Sequence, residues 1–215
     1  MTASRDDERR RMVDAQERAG HVTSAAVAHA MRTVPRHEFI PAAHARDAYV
    51  EHALPIEAGQ TISQPLIVAA MTEALEPAPT DVVLEVGTGS GYQAAVLALL
   101  VRRVVSVERI PTLAASARAR LDRLGVSGVE IHVADGTLGW PDDGPYDGII
   151  ATAAGPKIPA ALVEQLAVGG RLVLPVGPHG HQELVRLRKT SGDGDTAEER
   201  LGAVSFVPLI GEEGF

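Results

Sequence analysis

Apolar positions fall into two regimes along the chain. Over residues 6–19, Met12, Val13 and Ala15 recur among charged side chains, which predicts a helix with one buried stripe. A second helix is predicted through Val27, Ala30 and Met31, capped by Thr23 or Ser24 and stopped before Pro35. Residues 35–62 hold Pro35, Pro41 and Pro55 and sustain no period, so they are expected to be ordered loop with short elements. A third helix is predicted over 64–75. Beyond Pro77-Ala78-Pro79 the pattern changes to short β-rich apolar runs separated by helical segments. The runs predict strands at 82–86, 104–108, 129–133, 148–151 and 171–175, with helices at 92–100, 111–124 and 159–166 between them.

Strand–helix alternation implies parallel strands, because these need a crossover connection. The end of the chain differs. Strands are predicted at 183–188 and 203–209 with only a polar loop between them, including 189–195, which is expected to be mobile. Two strands without a helix predict an antiparallel pair. The fold class expected is α/β, a Rossmann-like, doubly wound, mostly parallel sheet with an antiparallel C-terminal strand pair and an N-terminal helical extension. It is expected as one domain over 1–215, with residues 1–78 as the substrate-binding extension and 79–215 as the cofactor-binding core.

Bulk properties narrow the class further. Of the 215 residues 45% are hydrophobic, enough for a full core, but only 3% are aromatic, so Val, Leu, Ile and Ala must fill it. A net charge of -8 argues against nucleic acid as a partner, which needs a basic face. The arginines from Arg5 to Arg11 alternate with Asp6, Asp7 and Glu8 and read as a solvated helix face. There is no cysteine, which removes disulfides, thiolate metal sites and cysteine nucleophiles. The start of the chain is charged and unlike a secretory signal, and no apolar run reaches the roughly 18–20 residues that span a bilayer. A cytoplasmic, membrane-free monomer is expected.

The most informative motif is Glu85-Val86-Gly87-Thr88-Gly89-Ser90-Gly91-Tyr92. It follows the first strand of the sheet and opens a helix, where doubly wound folds bind ligands. The dinucleotide pattern fails because Tyr92 stands where its third glycine belongs, and no Gly-Lys-Ser/Thr follows for a phosphate loop. Glu85 would sit awkwardly beside a pyrophosphate at an electropositive helix start. It suits a cationic ligand, and S-adenosyl-L-methionine brings a sulfonium and an ammonium. The glycines let backbone approach that ligand closely. Glu108, at the end of the next strand, can accept both ribose hydroxyls, and Asp135, before Gly136, can accept from an adenine amino group. Each acidic residue alone reads as a strand-end carboxylate or helix cap. Three at successive strand ends beside a glycine loop point to an adenosyl cofactor.

A second block, Gly59-Gln60-Thr61-Ile62-Ser63-Gln64-Pro65, packs hydrogen-bonding side chains just before the third helix. Spacing alone favours Ser63 as a helix N-cap, with Pro65 in the first turn. A serine-hydrolase elbow is absent around both Ser63 and Ser90. One oxygen can serve as cap and as active-site group in different states, so the two readings stay open. No metal site is expected: Pro41 occupies the place of the second histidine in a zinc helix starting at His37, and His179-Gly180-His181 lies in a loop with no third ligand signalled. Tyr49 reads equally as a lid over the site or as a packed loop residue.

With these blocks the chain resembles the protein-L-isoaspartate O-methyltransferases over nearly its whole length. The resemblance rests on Val34-Pro35-Arg36-His37-Glu38-Phe39-Ile40-Pro41, on Ala53-Leu54-Pro55-Ile56, on the Gly59–Pro65 block and on the glycine loop. Asp135-Gly136, Gly139-Trp140, Pro145-Tyr146-Asp147 and Phe206-Val207-Pro208-Leu209 extend it. The resemblance implies methyl transfer from S-adenosyl-L-methionine to the free carboxylate of L-isoaspartyl residues, and more weakly D-aspartyl residues, in damaged proteins. S-adenosyl-L-homocysteine is the product, and the ester collapses to a succinimide whose hydrolysis partly restores aspartate. It implies that Ser63 is the catalytic serine. Thr61, Ile62, Glu85, Gly87, Gly89, Gly91, Glu108, Asp135 and Gly136 would bind the cofactor. Gln60, Thr61, Ile62, Val207, Pro208 and Leu209 would meet the substrate. One departure is Tyr49-Val50-Glu51, where the family commonly has Tyr-x-Asp, which puts the role of position 51 in doubt.

The chemistry agrees with this assignment. A carboxylate, with a pKa of about 4, is already ionised at neutral pH and needs no general base. Methyl transfer needs alignment and exclusion of water, and alignment alone supplies roughly 7–11 kcal/mol of a barrier. A neutral hydroxyl can hold the carboxylate, whereas a cation would hold it too tightly in the ground state. Two alternatives use the same chain differently. One is a dedicated enzyme that methylates a single aspartate of a partner peptide to form an aspartimide. The other is a non-enzymatic scaffold, for which degenerate glycines or a missing Ser63, Glu108 or Asp135 would have argued.

Overall fold

The computed structural model describes residues 4–192 and 194–215. Residues 1–3 of the charged start and Asp193 of the polar loop, both part of the expectations above, lie outside the described residues. The first helix, α1 (Arg5–Arg18), opens on a capping box between Ser4 and Asp7, with Asp6, Asp7 and Glu8 at its electropositive end, and buries Met12, Val13 and Gln16. Ser24 rather than Thr23 caps α2 (Ala25–Thr33). Glu73 of the third helix accepts from Thr23 N and Ser24 N and binds the start of α2 to it. The proline-rich stretch is built of short turns and a two-stranded ladder of β1 (Leu54–Pro55) and β2 (Thr61–Ile62), with Leu54 opposite Ile62. Helix α3 (Pro65–Leu75) follows.

The sheet comes next in the chain: β3 (Val82–Val86), α4 (Tyr92–Leu97), β4 (Arg103–Glu108), α5 (Pro111–Arg123), β5 (Val129–Val133), β6 (Tyr146–Ala151), α6 (Ala160–Glu164), β7 (Leu166–Val176), β8 (Gln182–Lys189) and β9 (Thr196–Val204). The strand order is β5-β4-β3-β6-β7-β8-β9. Pairings from β5 through β7 are parallel, and β8 and β9 are antiparallel to their neighbours. All five positions of β3 are buried, as expected of a strand covered on both faces. Alternate residues feed two cores. Val83 and Val104 pack with Met31, Phe39, Leu75 and Leu97 on one face, while Leu84, Val105 and Ile149 pack with Leu162 and Leu174 on the other. The chain goes outward from β3 to β5 and then crosses back to β6, so a crevice opens at the carboxyl ends of β3, β4 and β6.

The last strand departs from the expectation. It runs over Thr196–Val204, not 203–209, and the polar loop before it is correspondingly short. β9 shows no alternation because all but Val204 of its residues are exposed. Its ladder to β8 is reinforced by cross-strand charge pairs, Arg186 with Glu199 and Arg200 with Glu183, rather than by burial. The apolar run at 206–209 folds across the crevice instead: Ala154 N donates to the Val207 carbonyl and Leu209 N to the Ala154 carbonyl, both at 2.8 Å. Helices α4 and α6 are shorter than their apolar runs suggest.

Candidate active site

The glycine loop is shaped by what lies against it. Gly87 has φ of 95°, and a Cβ there would stand 2.5 Å from Thr152 Oγ1 at the end of β6. That hydroxyl donates to the Gly87 carbonyl at 2.7 Å. Close approach of β3 to β6, not freedom alone, therefore demands glycine. Gly136 likewise meets Val86, with a would-be Cβ at 2.6 Å from its Cγ1. Gly91 serves packing: it caps α4 in the left-handed conformation, and Ala117 and Leu121 of α5 lie against it.

Three cavities adjoin in the crevice. The first is walled by Gln60, Thr61, Gly87, Gly89, Glu108, Gly136 and the Val207–Leu209 stretch, with Arg109, Ile110 and Ile210. The second lies under the glycine loop, with Thr61, Ser63, Thr88, Ser90, Gln93 and Thr152 mixed with apolar Ile62, Val68, Met71 and Tyr92 on its walls. The third is an open cleft between Ser63, Gln64 and Ile67 on one side and Val204, Ser205 and Phe206 on the other. Thr61 and Thr152 line all three. The sequence analysis did not single out Thr152, although it directly follows a predicted strand, where ligand-facing residues of such sheets collect.

Glu108 is aimed at the first cavity by two backbone donors, Gly89 N to Oε2 and Ile110 N to Oε1, both at 2.9 Å. Each oxygen keeps a second lone pair for a ligand hydroxyl. Three of the expected cofactor residues, Glu85, Gly91 and Asp135, are on none of the cavity walls. Glu85 is 0% exposed beneath the loop. Its Oε2 accepts from Ser106 Oγ, which is itself 2.6 Å from Thr88 Oγ1, while its Oε1 is buried without a partner. Burial pushes its carboxyl up to about 8; Ser106 opposes the shift and nearby Glu108 adds to it. Asp135 is turned towards the C-terminal tail. Its oxygens accept from Thr137 N, Thr137 Oγ1 and Glu212 N. Burial would raise this carboxyl, but these donors outweigh it and hold it below its ordinary value.

Ser63 is not the helix cap. Gln64 occupies that position, and no side chain of its own caps the helix. The cap is supplied from a distance: Glu51 Oε2 accepts from Leu66 N at 2.9 Å. Pro65 at the helix start removes one backbone donor, Glu51 takes Leu66 N, and Ile67 N and Val68 N bond the Gln64 carbonyl, so the first turn asks nothing of Ser63, which lines the second and third cavities. Tyr49 bonds the His37 ring, 2.7 Å from its Nδ1, which favours the packed-residue reading. Outside the crevice, Glu130, His132 and Asp143 bring potential metal ligands within 4.8 Å of one another. The Arg103 guanidinium already bridges the two carboxylates at 2.9 and 2.8 Å, so the charge there is met by the protein itself.

Comparison with known proteins gives a consistent picture. The profile of the family described as protein-L-isoaspartate(D-aspartate) O-methyltransferase matches residues 7–214. A protein-L-isoaspartate O-methyltransferase of Methanoculleus marisnigri is 55% identical over 97% of this chain and 94% of its own. One of Pelobacter propionicus is 51% identical over 98% and 95%. Among solved structures, a protein-L-isoaspartate O-methyltransferase at 27% identity superposes with a TM-score of 0.83 over 96% of this chain and 67% of that one. A Plasmodium falciparum chain assigned to the same activity, solved with S-adenosyl-L-homocysteine, shares the fold at 24% identity, with a TM-score of 0.81 over 94% of this chain and 98% of that one.

Proposed function

The chain belongs to the protein-L-isoaspartate(D-aspartate) O-methyltransferase family, and on that premise we propose how its crevice works. The protein is an S-adenosyl-L-methionine-dependent methyltransferase that esterifies the free carboxylate of L-isoaspartyl residues, and more weakly D-aspartyl residues, in damaged proteins. The ester closes to a succinimide, whose hydrolysis partly restores aspartate. The dedicated peptide-aspartate alternative is not favoured, since relatives matched almost end to end carry the isoaspartate name.

The residues present fit the cofactor. Gly87, Gly89 and Gly136 present bare backbone to the first cavity, and a buried carboxylate oxygen of Glu85 beneath the loop has no partner. The first cavity takes the adenosine, with Glu108 on the ribose hydroxyls and Gly136 and Ile210 against the base. The second takes the amino-acid end, with Glu85 acting through the loop on its positive charge. Gly91 and Asp135 act from behind the wall, the one by packing α4 and the other by holding the tail that carries Leu209 and Ile210. Once bound, the cofactor supplies a methyl group on a positively charged sulfur. The third cavity takes the peptide, between Ser63 and the Val204–Phe206 edge.

The observation that carries this reading is that Thr61 and Thr152 line all three cavities. Donor and acceptor can therefore meet at the junction these two residues form, beside Ser63. There the Ser63 hydroxyl donates a hydrogen bond to the isoaspartyl carboxylate and sets its approach. Gln60, Thr61, Ile62 and the Val207–Leu209 stretch close the junction to water. No base is required, and among the groups on these walls none is placed as one. We take the working form to be a cytoplasmic monomer, with residues 1–78 supplying most of the acceptor side and 79–215 the cofactor side. The test is labelling of an isoaspartyl peptide and its aspartyl twin with methyl-labelled cofactor. Label confined to the isoaspartyl peptide supports the reading, and equal or absent labelling refutes it.

A further inference from the structure

The turn that carries Ser63 is gripped at two points from one segment, the irregular stretch between α2 and β1. Arg36 Nη2 donates to the Ser63 carbonyl at 2.7 Å. Just past Pro65, Leu66 N donates to Glu51 Oε2 at 2.9 Å. The Ser63 hydroxyl thus hangs between a held carbonyl and a held amide.

Neither grip is explained by ordinary packing. Arg36 is 0% exposed, although burying a guanidinium is costly and the group stays charged. It is held by carbonyls and an aromatic face: Nε donates to the Ala48 carbonyl at 2.8 Å, and Cζ lies 5.0 Å from the centroid of the Tyr92 ring. A methionine or leucine would fill the same space without the desolvation cost. What only the arginine fork does is join three backbone regions, the Ala48 turn, the Ser63 turn and, through Tyr92, the start of α4 behind the glycine loop. Glu51, by contrast, is exposed, so burial gives no reason for it. Its Oε2 answers the open first turn of α3, where a negative charge is favoured, and its Oε1 accepts from Gln16 Nε2 of α1.

We propose that Arg36 and Glu51 are positioning residues for methyl transfer, which fix the Ser63 hydroxyl at the junction of the donor and acceptor cavities. This rests on Ser63 being the group that holds the carboxylate. It also gives position 51 a function: a carboxylate long enough to reach both Leu66 N and Gln16.

The test compares Glu51→Ala, Ser63→Ala and the double variant as full-length proteins. It reads kcat and KM with an isoaspartyl peptide, S-adenosyl-L-homocysteine affinity by calorimetry, and melting temperature. A misplaced reacting group costs on the order of 10- to 100-fold, so Glu51→Ala is expected to lose that much kcat with product affinity kept. In the Ser63→Ala background the same change is expected to cost almost nothing more. Glu51→Gln is expected to recover most of kcat. Its amide oxygen still accepts from Leu66 N, and its NH2 can donate to Gln16 Oε1, a buried acceptor now without a partner. Additive losses in the double variant, or a lower melting temperature with kcat unchanged in Glu51→Ala, would overturn the inference and leave Ser63 in place. Full turnover in Ser63→Ala would instead overturn the assignment of Ser63 and this inference with it. Arg36→Lys gives a second arm, because an ammonium cannot reach both carbonyls in one geometry. Unchanged kcat in a folded Arg36→Lys protein would remove Arg36 from the proposal.

Discussion

Replacing Ser63 by alanine separates two jobs that spacing alone could not. Were Ser63 a helix cap, its loss would cost about 1 kcal/mol of stability. For a chain of this size that is roughly 2–4 °C in melting temperature. The structure assigns the cap position to Gln64 and the capping acceptor to Glu51, so Ser63→Ala is expected to melt within about 1 °C of the parent. Turnover should respond very differently. A hydrogen bond to a charged group is worth about 1.5–3 kcal/mol. At about 1.4 kcal/mol per decade, losing it from the transition state lowers kcat/KM by roughly 10- to 100-fold. Product affinity, set mainly by the adenosine in the first cavity, which Ser63 does not line, should stay near the parent value. Steady-state kinetics with an isoaspartyl peptide, calorimetry with S-adenosyl-L-homocysteine and a thermal melt decide the matter together. A melting temperature lowered by several degrees with turnover intact would refute the reasoning.

Two further outcomes follow from groups behind the wall. Glu85 is held protonated by burial up to about pH 8, whereas in the unfolded chain it ionises near 4.5. The unfolded state therefore releases a proton that the folded state keeps, and this group's contribution falls as pH rises from about 4.5 to about 8 and is flat above. Glu85→Gln should flatten that part of the stability profile and stabilise the protein at pH 7, read by chemical denaturation across pH; an unchanged slope would contradict the buried acid. It should also weaken cofactor binding, because the ligand's positive charge favours the ionised carboxylate that burial suppresses. Gly211 packs so tightly on Asp135 that a Cβ would lie 2.0 Å from its Oδ1. Gly211→Ala should dislodge the tail, break the Glu212 N bond to Asp135, worth roughly 1.5–3 kcal/mol, and weaken S-adenosyl-L-homocysteine binding in calorimetry. Unaltered affinity would show that the tail does not shape the first cavity.

The parallel half of the sheet was legible because its inner strands, β3 above all, are buried on both faces and read as largely apolar runs, while the edge strand β5 alternates Val129, Ile131 and Val133 with Glu130 and His132. β9 was not legible because it is exposed on both faces and held by a ladder and by Arg–Glu pairs, which leave no alternation to read. The run at 206–209 misled for the complementary reason: its apolar side chains cover a crevice rather than join the sheet. At the site, Gly87, Gly89 and Glu108 announced themselves through strand-end spacing and do line the cavity. Glu85 and Asp135 carry the same spacing signal, yet they lie behind the wall, because spacing gives the strand end and not the direction of the side chain. Thr152, Arg36 and Glu51 make their contacts between segments far apart in sequence, such as the bond from Arg36 to the Ser63 carbonyl, so a strand-end place or a family block could mark the position but not the partner.

The central claim is that the crevice recognises the abnormal carboxylate and starts its return to aspartate. It is tested most directly by incubating one isoaspartyl peptide with the enzyme and S-adenosyl-L-methionine through repeated cycles, and separating the isoaspartyl, succinimide and aspartyl forms by chromatography. The account predicts that the isoaspartyl form is consumed, that the succinimide passes through a maximum and that the aspartyl twin accumulates unlabelled. An isoaspartyl form that persists, or an aspartyl twin methylated equally well, would contradict it.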